Sequence, residues 1–189
     1  MDDLINNVRQ WFHDKGIIEK SNPLKQLEKT QEELTETRDA AIMLHQFDSE
    51  FWQSLGEHGN KRHELYNQIY DGIGDTMVTL IGVCEMWNKE ISELATNPTI
   101  EAYINGLQAD RIVILEELQS LLLKLYMFTA TSNLEAAYVT MGMMVGCLFA
   151  LSEEYGATLE ECLQSAYDVI SKRSGTMIDG KFVKNPETK

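Results

Sequence analysis

Cysteine is scarce in this chain. The three present, Cys84, Cys147 and Cys162, sit inside apolar helical patterns and show none of the paired spacing of a thiolate metal site. They read as reduced core thiols, so a cytoplasmic location is expected. Histidine is as sparse: His13, His45, His58 and His63 form no HxxxH or ExxH pair, which counts against a ferritin-like di-iron bundle. There is no glycine-rich phosphate loop and no nucleophilic Ser or Cys constellation. Basic residues are outnumbered, 16 Lys and Arg against 30 Asp and Glu, for a net charge of -14. Such a chain repels a phosphate backbone, so no duplex nucleic acid partner is expected, whereas a small polyanion can bind if a metal intervenes. The acidic start Met1-Asp2-Asp3-Leu4 carries no signal-peptide pattern, and no internal repeat or low-complexity run occurs.

What is present is helical periodicity. The 189 residues suit one domain, 1–189, of all-α class. Leu4, Ile5, Val8, Trp11 and Phe12 fall at helical spacing and Gly16 stops that helix. Ile17 to Lys20 reads as a connector, and Ser21-Asn22-Pro23 as the start of a helix running to about Leu44, with Leu24, Leu27, Leu34, Ala41 and Ile42 on its core side. A loop with a short helix around Phe51 and Trp52 is expected next. From Lys61 the periodicity resumes through Leu65, Ile69, Ile73, Thr76, Leu80, Val83 and Met86. Further helical blocks run from Ile100 to about Phe128 and from Leu134 to Tyr155. A capping box at Thr158 and Glu161 opens a last helix to about Arg173, and Asp179-Gly180 signals a short hairpin. Ala136 to Ser152 carries no charge. It is at the short limit for a membrane span and lacks flanking Lys or Arg, so a buried helix with no membrane partner is expected, with a subunit contact as one place for it.

The chemistry-bearing stretch is Gln26 to Glu36. Residues three and four apart share a helix face, so Glu32, Glu33 and Glu36 project from one surface with Lys29 a turn earlier. Such a cluster is either a solvated helix face or a set of hard oxygen ligands for Mg²⁺. Asp71 and Asp75 share a second face. Two such helices facing one another would close a cation site between them.

These residues carry a resemblance. Trp11, Gly16-Ile17-Ile18-Glu19, Pro23 and the run Gln26-x-x-Lys29-x-x-Glu32-Glu33-x-x-Glu36 are similar to the opening of the MazG-like all-α nucleoside triphosphate pyrophosphohydrolases, in particular their short bacteriophage forms. Ile73-Gly74-Asp75-Thr76 resembles that family's second motif. Leu159 to Leu163, Arg173-x-Gly175-x-Met177 and Asp179-Gly180-x-Phe182-Val183-Lys184 resemble the ending of the phage forms. Approximately 93–140 looks like an inserted helical segment. The resemblance implies a MazG-like helical bundle that hydrolyses nucleoside triphosphates to monophosphate and pyrophosphate with Mg²⁺, or with Mn²⁺ in its place. It implies Glu33, Glu36 and Asp75 as metal ligands, and Glu32 as a further ligand or the group that orients water; Asp71, four residues before Asp75 and on its face, is the candidate metal ligand in place of a Glu absent at Gly72. Lys29, Gln26, Arg173, Lys172 and Trp11 are implied at the substrate, and a homodimer or homotetramer is implied as the assembly.

Three positions depart from the pattern. Gly72 stands where the family has Glu, and Asp168 and Ser171 stand where Asn and Lys are expected. The alternative reading is therefore a catalytically silent nucleotide- or protein-binding member of the same fold. Single residues also keep second readings: Lys29 as a helical ion-pair partner, Trp11 as core, Arg173 as a helix C-terminal cap and Asp75 as an acid at a helix N-terminus.

Overall fold

Two long helices, α3 (Pro23–Phe51) and α4 (Gly59–Met86), make the most extensive helix pair among the described residues of this computed structural model. The structure describes residues 1–51, 59–96, 100, 102–103, 106 and 110–185. Around the pair lie α1 (Asp2–Asp14), the single turn α2 (Ile17–Lys20), a 3-10 helix (Ile91–Thr96), α5 (Arg111–Ala130), α6 (Leu134–Glu154) and α7 (Leu159–Ile170). The chain then forms an antiparallel hairpin, β1 (Gly175–Ile178) and β2 (Lys181–Lys184). The fold is all-α apart from this hairpin.

Local signals set most of these elements. Gly16, at φ 65°, ends α1 in the left-handed region. The Asn22 carboxamide accepts the Lys25 backbone N–H at 3.0 Å, capping α3 ahead of Pro23. Thr158 and Glu161 form the reciprocal capping box of α7. Asp179 (φ 49°) and Gly180 (φ 79°) both turn left-handed, as a two-residue hairpin loop requires.

Several expected boundaries move. Helix α3 continues past Leu44 to Phe51, because His45 to Glu50 contains no breaker. Ile42 is exposed, and Ala40 is buried beside Ala41 instead. The short helix expected around Trp52 lies outside the described residues. Helix α4 begins at Gly59, so Asp71 and Asp75 lie within it and Asp75 has no part in an N-terminal dipole. Helix α7 stops at Ile170, short of Arg173. Helix α6 runs through position 140 without a break, so the end of the expected inserted segment coincides with no element boundary.

Two glycines fix how closely α4 meets its neighbours. A Cβ on Gly72 would lie 2.0 Å from the Thr37 hydroxyl of α3, and one on Gly74 would lie 2.1 Å from the Cys162 carbonyl of α7. Between α3 and α4 the buried hydroxyls of Thr30 and Thr79 bond at 2.8 Å, which pins the register of the pair. Helices α5 and α6 form a hairpin laid on α3 and α4. Among the described residues α6 is the one helix long and apolar enough to cross a membrane, with mean hydropathy 1.7. Its Ala137, Met141, Met144, Leu148 and Leu151 are buried in the core. The three cysteines are free and buried, and burial pushes the Cys84 thiol up to about 12.

Candidate functional site

Helix α3 presents Lys25, Gln26, Lys29, Glu32 and Glu33 along one face, the repeat that 3.6 residues per turn imposes. They line a pocket of about 360 Å³. Helix α4 supplies Asp75, Val78 and Thr79 to it, Arg173 enters from beyond α7, and Trp11 and Ile17 form an apolar wall. The remaining side is the hairpin, through Lys181, Phe182, Val183 and Lys184. Five basic side chains thus meet three acidic ones, in a chain whose acids outnumber its bases.

On the other side of Glu33 and Asp75 lies a second recess of about 430 Å³, lined by Glu36, Asp39, Asp71 and Gly72 as well as by those same two acids. Glu33 and Asp75 are therefore the shared wall between a cationic pocket and an acidic cleft. Glu33 is only 8 % exposed, and its charge is met by Lys29, whose ammonium lies 2.8 Å from Glu33 Oε1 and 3.0 Å from Glu32 Oε2. Burial lowers the pKa of Lys29, but its hydrogen bonds to Glu33 and Glu32 leave it above the ordinary value. The Lys29 hydrogen bond holds Glu32 below the usual carboxylate range.

Asp75 is shifted the other way. Burial and the charge of Glu33 push it up to about 6, with Asp71 adding to the shift and Arg173 and Lys29 partly opposing it. Arg173 has no ion-pair partner among the described residues, so its guanidinium fork is available to the pocket. Asp71 is exposed and accepts a hydrogen bond from the Ser165 hydroxyl at 3.1 Å, which ties α4 to α7.

The acids expected from sequence line two adjoining recesses: Glu33, Glu36, Asp71 and Asp75 line the cleft, and Glu32 lines the pocket together with Lys29, Gln26, Arg173 and Trp11. Lys172 is the exception. It is exposed and lines neither recess, because the chain leaves α7 with Arg173 turned inward. Trp11 packs edge-to-face on Phe12 at 5.2 Å and also lines the pocket. Sequence reasoning missed Lys25, Thr79, Lys181, Phe182 and Lys184. Lys25 lies one helical turn before Lys29 and could have been found by periodicity; the hairpin residues arrive by a long-range fold-back with no local signal.

The side chains are hard carboxylates, the donors a divalent cation takes, and the upward shift of Asp75 comes first from burial and then from the charge of Glu33, of which a cation would relieve the second. Among the described residues, no three His, Cys, Asp or Glu side chains stand close enough to share one ion, so water would complete the coordination shell, as Mg²⁺ readily allows. At Gly72 the Thr37 hydroxyl fills the space a larger side chain would need. No family model, curated protein or solved structure matches this chain.

Proposed function

We propose that this chain is a Mg²⁺-dependent nucleoside triphosphate pyrophosphohydrolase of the MazG-like all-α kind. One observation carries the reading: Glu33 of α3 and Asp75 of α4 form a shared wall with phosphate-compatible cations on one side and further carboxylates on the other. Glu33 and Asp75 would hold the ion, with Glu36 and Asp71 in the cleft behind them. When bound, Mg²⁺ supplies charge neutralisation at the phosphates and makes water more acidic.

The chain's own residues do the rest. Arg173 can grip two phosphate oxygens with its fork, and Lys29 adds positive charge beside them. Glu32 is poorly basic because Lys29 stabilises its ionised form, so it suits orienting a water molecule better than taking its proton. Water oxygen attacks the α-phosphorus, the α-β anhydride bond breaks, pyrophosphate leaves with the electron pair of that bond, and the proton lost by the water passes to solvent. Trp11 and Phe182 give the base an apolar wall that excludes solvent.

The test is pyrophosphate release from a panel of canonical and modified nucleoside triphosphates, with Mg²⁺ and with chelator. Release that requires the metal is expected. Asp75→Asn should lower turnover by about a hundredfold or more, in line with loss of a group that stabilises developing charge. Glu36→Gln should impair it, and Asp71→Asn should cost less, since Asp71 is already engaged by Ser165. The second reading, a silent nucleotide-binding protein, is favoured by Thr37 closing the space at Gly72. It prevails if nucleotides bind and no member of the panel is hydrolysed.

A further inference from the structure

The hairpin buries little of the core, yet all four residues of β2 line the cationic pocket. Phe182 anchors it. Its ring stands edge-to-face against Trp11 at 5.8 Å, and the pairing of Met177 with Phe182 backs that residue with a second half-buried side chain. Neighbouring side chains on a strand point to opposite sides, so fixing Phe182 fixes where Lys181 starts from without holding its ammonium.

That ammonium is loosely held. It lies 3.4 Å from Glu28 Oε2 and 3.6 Å from Glu32 Oε1, with the side chain 49 % exposed. Charge-assisted hydrogen bonds run at about 2.7–2.9 Å. Both carboxylates also have nearer partners: Glu28 is 3.1 Å from Lys25, and Glu32 is 3.0 Å from Lys29. Lys181 is thus a third cation drawing on two acids that other lysines already neutralise. Exposed pairs of this kind contribute little, so the ammonium can change partners at small cost.

We propose that Lys181 is a polyphosphate-binding residue: when substrate enters, its ammonium leaves Glu28 and Glu32 for non-bridging oxygens of the phosphate chain, while the Phe182–Trp11 contact keeps β2 in place. This rests on the reading of the pocket as a nucleotide polyphosphate site, but it requires only a phosphate chain and not its hydrolysis. Glu28 is then a competitor for Lys181, and removing its charge should help the ligand.

The experiment is calorimetric titration of the full chain with inorganic triphosphate in Mg²⁺ at low salt. Lys181→Ala should weaken binding by about tenfold, Lys181→Arg should stay within about twofold of the wild type, and Glu28→Gln should tighten binding by about twofold, as expected for loss of a competing charge-assisted contact. Lys124→Ala, an exposed cation on α5, should have no effect. The proposal is overturned if Lys181→Ala binds like the wild type, if the wild type does not bind triphosphate, or if Glu28→Gln weakens binding. The sign of the Glu28→Gln effect still decides should Lys181→Ala disturb the hairpin. Triphosphate binding that depends on Lys181, with no pyrophosphate released from any nucleotide, would sink the activity and leave this assignment standing. Hydrolysis with an unchanged KM in Lys181→Ala would do the reverse.

Discussion

Asp75 has the ordinary aspartate value of 3.8 in the unfolded chain and about 6 in the folded one. Between those values the folded state binds more protons than the unfolded state, so stability falls as pH rises through that window and stays lower above it. Asp75→Asn removes the charge and with it the penalty. At pH 7.5 the variant should be more stable than the wild type by about 2 kcal/mol, and the gain should vanish below the ordinary aspartate pKa. Mg²⁺ should raise the melting temperature of the wild type at pH 7.5 and raise that of the variant less, because the substitution removes one of the two carboxylates proposed to hold the ion and leaves Glu33. Thermal melts across pH check both statements; an Asp75→Asn protein that melts lower at pH 7.5 would remove the electrostatic account. The sequence made Asp75 visible as an acid in a motif. It could not show the shift, which depends first on burial and then on Glu33 arriving from another helix.

At the scale of elements, α3 and α4 pack as closely as they do because Gly72 faces Thr37. Alanine is a better helix former than glycine by about 1 kcal/mol, so Gly72→Ala would stabilise an isolated helix. Here the added methyl meets the Thr37 hydroxyl at 2.0 Å, and overpacking of that kind costs about 1–3 kcal/mol. Gly72→Ala should therefore destabilise the protein in urea unfolding. Combining it with Thr37→Ala, which removes the obstructing oxygen, should recover part of the loss, a non-additivity expected only of residues in contact. Equal and additive losses would show that the two positions do not meet. Caps and turns were legible in the sequence because their signals are local: Asn22, Gly16, the Thr158 box and Asp179-Gly180 all act within a few residues. The end of α3 and the start of α4 were not, because polar residues tolerate a helix that tertiary contacts prolong. Gly72 stood out in the sequence, while its physical partner Thr37 did not.

Over the whole molecule the charge is divided in a way the total conceals. The net charge of -14 makes the surface repel itself, yet Lys25, Lys29, Arg173, Lys181 and Lys184 gather around one pocket. The total could be read from composition, but the gathering could not, since it needs β2 folded back beside α3. Salt should act on these two features with opposite sign. Screening weakens repulsion among the excess acids, so raising NaCl from low to moderate concentration should raise the melting temperature. The same screening weakens the pull of the pocket on a polyphosphate, so affinity for inorganic triphosphate should fall over the same range. Melting curves and titrations in matched buffers measure the two trends. If affinity were indifferent to salt while stability rose, the pocket cations would be serving the fold alone; opposed trends are what a cationic site set in an acidic protein requires.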